Sequence, residues 1–223
     1  MPTSHALDAY LETIYILASE GITVIGARMA DMMAVRAPSV TEAVQRLEKR
    51  DLVTVDSRHV IALTPAGWER AESLIRRHRI AERWLTQVIG LDWAQADVEA
   101  HKLEHAFSTE VADRLSQMME HPKTCPHGNP IPGNWETPTY FDLLLSEVAP
   151  KDEVIVERIL EHAEVDFRLL RYLWNHGILP DTRLTMIETV TGAGTITVRR
   201  GDHEVALGLS AASKIQVRPA HEE

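Results

Sequence analysis

Residues 35–64 read VRAPSVTEAVQRLEKRDLVTVDSRHVIALT. Pro38 suits the first turn of a helix, where its missing N–H costs little. Val40, Ala43, Val44 and Leu47 then recur at helical spacing over Ser39–Arg50. Leu52-Val53-Thr54-Val55 and Val60-Ile61-Ala62-Leu63-Thr64 alternate on either side of the turn Asp56-Ser57-Arg58-His59, which predicts a β-hairpin. Upstream, Leu7, Leu11, Ile14, Tyr15 and Leu17 mark an amphipathic helix from Leu7 to Ala18. After the Gly21 break a shorter helix, Ile25 to Met33, turns Ala27, Met29, Ala30 and Met33 to a core, and Val35-Arg36-Ala37-Pro38 connects it to the third. Helix, helix, tight turn, helix, hairpin is the order of a winged helix-turn-helix.

Downstream, a Pro65-Ala66-Gly67 break predicts a long helix from Trp68 to Ile89, and another spans Trp93 to Met119. The stripe on the first, including Leu74, Ile75, Ile80, Trp84, Leu85 and Val88, is wider than a small winged helix needs. It predicts a second helical layer that pairs with another copy of the chain, the commonest closed assembly being a dimer. His121–Pro138 holds Pro122, Pro126, Pro130, Pro132 and Pro138 with Gly128 and Gly133, so it reads as loop or linker. From Asp152 the period changes to that of strands. Val154-Ile155-Val156 with Ile159-Leu160, then Leu184–Ile187, Thr195–Val198, Glu204–Leu207 and Lys214–Val217 read as strands, with a helix over Val165–Trp174. Short strands at this spacing make a small barrel.

The 223 residues carry 33 acidic and 23 basic side chains, a formal charge of −10, and one cysteine, Cys125. No intrachain disulfide can form, which fits a reducing compartment. The start, MPTSHALDAYLE, has neither a basic leader nor an apolar run, and no stretch approaches the roughly 20 apolar residues of a membrane span, so a soluble, cytoplasmic protein with no membrane partner is expected. A charge of −10 argues against nucleic acid only if it is evenly spread. It is not: residues 1–83 hold eleven basic and eleven acidic side chains, and all the excess acid lies behind them.

Opposite the apolar side of the third helix, Ser39, Thr41, Glu42, Gln45 and Arg46 form a polar face with Pro38 at its start. Short polar groups at a helix N-terminus reach base edges, and flanking cations hold phosphates. Arg28, Arg36, Lys49 and, on the hairpin, Arg58 and His59 are placed for the second role. Periodicity alone does not separate such a face from a merely solvated one.

Five of the eleven histidines, His78, His101, His105, His121 and His127, fall in one stretch with Cys125. His78 and Glu82 are one turn apart on one helix, and His101, Glu104 and His105 share a face of the next. Two antiparallel helices so equipped can surround a cation with nitrogen and oxygen donors. Cys125-Pro126-His127 adds a thiolate and an imidazole.

The segments IRRHRIAERWL, VIGLD, EAHKLEHAFS and HPKTCPHGNPIPG, in that order, resemble the metal-dependent repressors of the diphtheria toxin repressor family, above all its manganese-responsive branch. The resemblance runs from Asp8 to Gly133 and continues more weakly beyond. It implies a mainly α chain with small β parts: a winged helix-turn-helix over 1–73, a helical metal-binding and dimerisation domain over 74–138, a linker over 139–151 and an SH3-like domain over 152–223. It further implies that Glu82, Cys125 and His127 form one metal site, closed by a carboxylate from the last domain, Asp166 first and Glu164 next. A second site would use His78, His101, Glu104 and His105. Two positions depart from the pattern. Ala9 stands before Tyr10 where the family has a ligand, so that either Asp8 or Glu12 substitutes or the second site lacks its N-terminal arm, and His101 stands where the family has Cys or Glu.

On this reading the chain is no enzyme but a repressor of metal-uptake genes. Metal would hold the two winged helices of a homodimer at the spacing of successive major grooves of a palindromic double-stranded operator. Carboxylates and imidazoles suit Mn²⁺, expected first, and Fe²⁺, second; the thiolate would take Zn²⁺ more tightly in vitro. The rival readings are a winged-helix regulator of an organic ligand and a metallohydrolase built on the His/Glu cluster, which would need an open coordination position and a substrate pocket.

Overall fold

A computed structural model describes residues 4–135, 140–163 and 166–221. They pack as two compact units. One joins Ala100–Glu120 to the chain up to Ala81; the other joins Glu82–Glu99 to the chain from His121.

In the first unit, helices α1 (Ser4–Ser19), α2 (Gly26–Met32) and α3 (Ala37–Glu48) precede a hairpin of β1 (Val53–Val55) and β2 (Ile61–Leu63). Leu7, Leu11 and Ile14 of α1, Met29 of α2 and Val40, Ala43 and Leu47 of α3 bury in one core with Val53 and Ile61. The hairpin turn is set by Asp56, whose Oδ1 accepts the N–H groups of Arg58 and Val60 at 2.8 Å each, an aspartate bonding its own turn.

Helix α4 (Pro65–Trp84) corrects the expected break at Pro65-Ala66-Gly67. Those residues are its first turn, where proline is pre-shaped for helix and Thr64 Oγ1 accepts the Gly67 N–H at 3.1 Å. Gly67 is there for space: a Cβ would lie 1.9 Å from the Leu52 carbonyl oxygen. One π-helical turn, Leu85–Ile89, follows and ends at Gly90 with φ +84°.

The expected helix from Trp93 to Met119 is two, α5 (Trp93–Leu103) and α6 (Thr109–Met118). Ser108 makes the second start, its Oγ accepting the Val111 N–H at 3.2 Å. Such a cap is a local signal that apolar periodicity does not register.

In the second unit, β3 (Glu153–Ile159), β4 (Arg183–Val190), β5 (Thr195–Arg200), β6 (His203–Gly208) and β7 (Ile215–Pro219) form one antiparallel sheet in the order β6-β5-β4-β3-β7. Its inward residues, among them Val154, Val156, Met186, Val198 and Val217, pack on Leu170 and Leu173 of α7 (Phe167–His176), on Ala212 of the short α8 (Leu209–Ala212) and on Trp93. The two apolar runs read at 154–156 and 159–160 belong to one strand. A register shift between Val156 and Arg158 moves the buried phase from even to odd positions. The sheet and its helix are the expected SH3-like part, and the chain as a whole is mainly α with small β parts.

Candidate metal centres and nucleic-acid interface

The polar face of α3 is presented as read. Ser39, Thr41, Glu42, Gln45 and Lys49 are exposed, with Arg36 at the N-cap and Pro38 in the first turn. Arg46 is half-buried, 4.0 Å from Glu42 one turn earlier. On α2 the exposed Arg28 donates to the Thr23 carbonyl at 2.6 Å. At the hairpin tip Arg58 and His59 are exposed, Arg58 Nε lying 3.3 Å from Asp56 Oδ2. The N–H of Val60, ahead of Arg58, holds the Asp56 carboxyl below its ordinary pKa. Direct hydrogen bonds to a carboxylate stabilise its charged form.

Within the same unit, α4 and the end of α5 bring three histidines to one glutamate. His78 Nδ1 lies 2.7 Å from Glu104 Oε2 and His105 Nε2 3.3 Å from Glu104 Oε1. The His101 ring meets that of His78 edge-on with centroids 4.6 Å apart. Glu104 is buried, its carbonyl accepting Arg77 Nε at 2.7 Å, whereas His101 is exposed and His105 partly so. Each Glu104 oxygen thus already faces an imidazole nitrogen.

The second unit seals its cluster. Glu82 from the last turn of α4 and Cys125 and His127 from the following loop offer one donor atom each, all within 4.8 Å of one another, and none of the three is more than 1% exposed. His127 Nδ1 is 3.0 Å from Glu82 Oε1, and Trp93 packs edge-on against the imidazole, centroids 4.4 Å apart. Carboxylate, sulfur and imidazole hidden together from water are costly in an apolar core. A divalent cation lowers that cost, and this donor set fits one.

Four candidates remain, of which Asp8 lines one cavity with His105 and Glu164 is outside the described residues. Asp8 is buried on α1 but engaged by Arg70, whose Nε and Nη2 both donate to its Oδ1, at 2.9 and 2.5 Å. Glu12, one turn on, is buried as well. Asp166 is exposed and caps α7, its Oδ1 accepting the N–H groups of Arg168 and Leu169 at 3.1 and 3.2 Å; a side chain so used is an N-cap. Glu164 lies outside the described residues. Two buried carboxylates went unanticipated. Asp97 is on α5, one turn before His101, a spacing open to view in the sequence; Glu161 opens a 3-10 turn just after β3, where only tertiary packing sets burial.

Three family descriptions match the chain in succession: "Iron dependent repressor, N-terminal DNA binding domain" over residues 3–60, "Iron dependent repressor, metal binding and dimerisation domain" over 64–133 and "FeoA domain" over 143–219. The iron-dependent repressor IdeR of Mycobacterium tuberculosis is 36% identical over 220 residues, covering 94% of this chain and 95% of its own. The diphtheria toxin repressor of Corynebacterium diphtheriae is 42% identical over 126 residues, 56% of each chain. Among solved structures, a manganese-dependent transcriptional repressor in complex with manganese is 32% identical with a TM-score of 0.83, covering 96% of this chain and 99% of that one. The manganese regulator SloR is 29% identical with a TM-score of 0.77, covering 96% and 98%.

Proposed function

The chain belongs to the iron-dependent repressor family, which makes it a metal-dependent DNA-binding transcriptional repressor, and from that premise we propose which ion it takes and through which residues. Glu82, Cys125 and His127 hold one divalent cation; His78, Glu104, His105 and His101 hold a second. Mn²⁺ is the physiological ion and Fe²⁺ the next choice. The observation that carries this is the buried convergence of three different donor types within 4.8 Å, which no packing need explains. Neither Asp8, engaged by Arg70, nor Asp166, capping α7, is in the ligand set.

A cation bound there ties Glu82 of α4 to the loop of Cys125 and His127. If it binds only the ordered form, a hundredfold excess over Kd is worth about 2.7 kcal/mol, enough to shift a two-state population strongly. The protein does the rest. Ser39, Thr41 and Gln45 on α3 face base edges in the major groove, with Pro38 and Glu42 beside them. Arg28, Arg36, Arg46, Lys49, Arg58 and His59 hold phosphates. The winged helix spans 1–73, the metal-binding and dimerising helices 74–138, the linker 139–151 and the SH3-like part 152–223. Two copies bind a palindromic operator of metal-uptake genes, in the cytoplasm and without catalysis.

The decisive experiment is a gel-shift titration of a palindromic duplex with Mn²⁺ and with chelator. Binding is expected with Mn²⁺ only. Binding indifferent to chelator overturns the metal reading and favours an organic ligand; no binding at any metal level overturns the DNA assignments. Retention of metal-dependent binding by the protein carrying both Glu82→Ala and Cys125→Ala overturns the ligand set.

A further inference from the structure

The loop bearing Cys125 and His127 is fixed by its own backbone and by β3. Within it, the Cys125 N–H donates to the Asn129 carbonyl at 2.8 Å and the Gly128 N–H to that of Cys125 at 3.1 Å. It lies on β3: the Ile159 N–H donates to the His127 carbonyl at 2.8 Å, and Asn129 Nδ2 donates to the Ile159 carbonyl at 2.9 Å. The fit is close, since a Cβ on Gly128, at φ +88°, would lie 2.3 Å from the Glu157 carbonyl oxygen.

Arg158 gathers these contacts. Its Nε donates to Gln216 Oε1 at 2.6 Å, its Nη1 reaches Asn129 Oδ1 at 3.5 Å, and its guanidinium lies 4.3 Å from the centre of the Tyr140 ring. Tyr140 in turn donates its hydroxyl to the Gly128 carbonyl at 2.9 Å, and Gln216 Nε2 donates to the Phe141 carbonyl at 2.7 Å. A planar fork that also stacks is a geometry lysine does not reproduce.

We infer that Arg158 and Asn129 are positioning residues for the Glu82–Cys125–His127 centre, setting its cation affinity by holding sulfur and imidazole at their stations without ligating. The sheet then acts on the metal centre through the backbone of this loop, whether or not it also supplies a carboxylate. Order already present need not be created on binding, and partners outside the ligand sphere typically change metal affinity 10- to 100-fold. The inference rests on the ligand set proposed above.

The test titrates the full-length protein with Co²⁺ and follows the near-ultraviolet thiolate-to-cobalt absorption, which reports only ligation by Cys125, the single cysteine. Arg158→Met and Asn129→Ala are expected to weaken that signal's apparent affinity about 10- to 100-fold. Arg158→Lys should recover part of it, and cobalt uptake at the histidine cluster should stay unchanged. No thiolate band in the wild type overturns the ligand set. A wild-type band with unaltered affinity in the variants overturns the positioning role and leaves the ligands standing. Equal weakening at both clusters, with a lower melting temperature of the metal-free protein, overturns it too, because that is a loss of fold. Should Asn129→Ala fail to fold, the Arg158 pair gives the answer.

Discussion

Each compact unit holds a histidine–glutamate cluster, and the two are built in opposite ways. Beside the winged helix, Glu104 has an imidazole on each oxygen, and His101 of the same cluster is exposed. Beside the sheet, Glu82, Cys125 and His127 are all but inaccessible and of three donor types. In both, a histidine meets the glutamate, His127 Nδ1 lying 3.0 Å from Glu82 Oε1; the second differs in gathering three donor types, a thiol among them, where water does not reach. Charge carried away from water costs more than charge at the surface, so the sealed cluster should depend on a cation more than the open one.

The largest effect expected from this contrast is on metal-induced stabilisation. A hundredfold excess of Mn²⁺ over Kd should raise the melting temperature by about 5–10 °C, from about 2.7 kcal/mol and the usual sensitivity for a chain of this size. Cys125→Ala should abolish most of that rise and His105→Ala much less, in thermal melts with and without chelator. Equal loss in both would erase the distinction.

A smaller effect separates the clusters in the absence of metal. Glu104→Gln removes a buried carboxylate already bonded by His78 and should destabilise the chelator-treated protein by about 1–3 kcal/mol. Glu82→Gln changes a carboxylate that meets His127, where Glu104 meets both His78 and His105, and should cost less without metal while removing the gain from Mn²⁺. Urea melts in chelator compare the two; a larger metal-free loss at Glu82 would reverse the assignment. Smaller again is Asp8→Ala. Its partner Arg70 is 43% exposed on the side chain, which caps the pair at about 1 kcal/mol. Cobalt or manganese affinity should not change; a drop would return Asp8 to the ligand set.

What the sequence disclosed follows the range of the interactions concerned. The winged helix was legible because Val40, Ala43, Val44 and Leu47 repeat within one helix and the Asp56 turn is local. The two clusters were legible in part, since His78 with Glu82, and Glu104 with His105, are helical neighbours. Helical spacing did not sort them, since it pairs His78 with Glu82; the family resemblance did, and the packing sends Glu82 to the Cys125 loop and His78 to Glu104. Asp166 shows how one short acidic side chain carries two readings, since it also serves as the cap of α7. Arg158 carried no sequence signal, as its contacts with Asn129, Tyr140 and Gln216 join three distant segments.

The smallest effect is in acid, and it has opposite signs in the two units. Asp56, in the hairpin of the winged helix, has its pKa lowered chiefly by the Val60 N–H. It contributes stability above its unfolded pKa that is lost as pH falls through the folded value. Glu157, on β3 behind the sealed centre, has its pKa raised by burial, against the opposing bond from the Phe141 N–H and the charges of Arg218 and Arg158. A raised carboxyl destabilises the fold at neutral pH, and that penalty is relieved as pH falls through the raised value. Asp56→Asn should therefore be less stable than the wild type at neutral pH, the difference closing only at the acid end of the carboxylate range. Glu157→Gln should be as stable or more so at neutral pH, the difference closing earlier in the descent. Melts across the carboxylate range in chelator test both, and differences of the same sign would show that Arg158 and Arg218, not burial, govern Glu157.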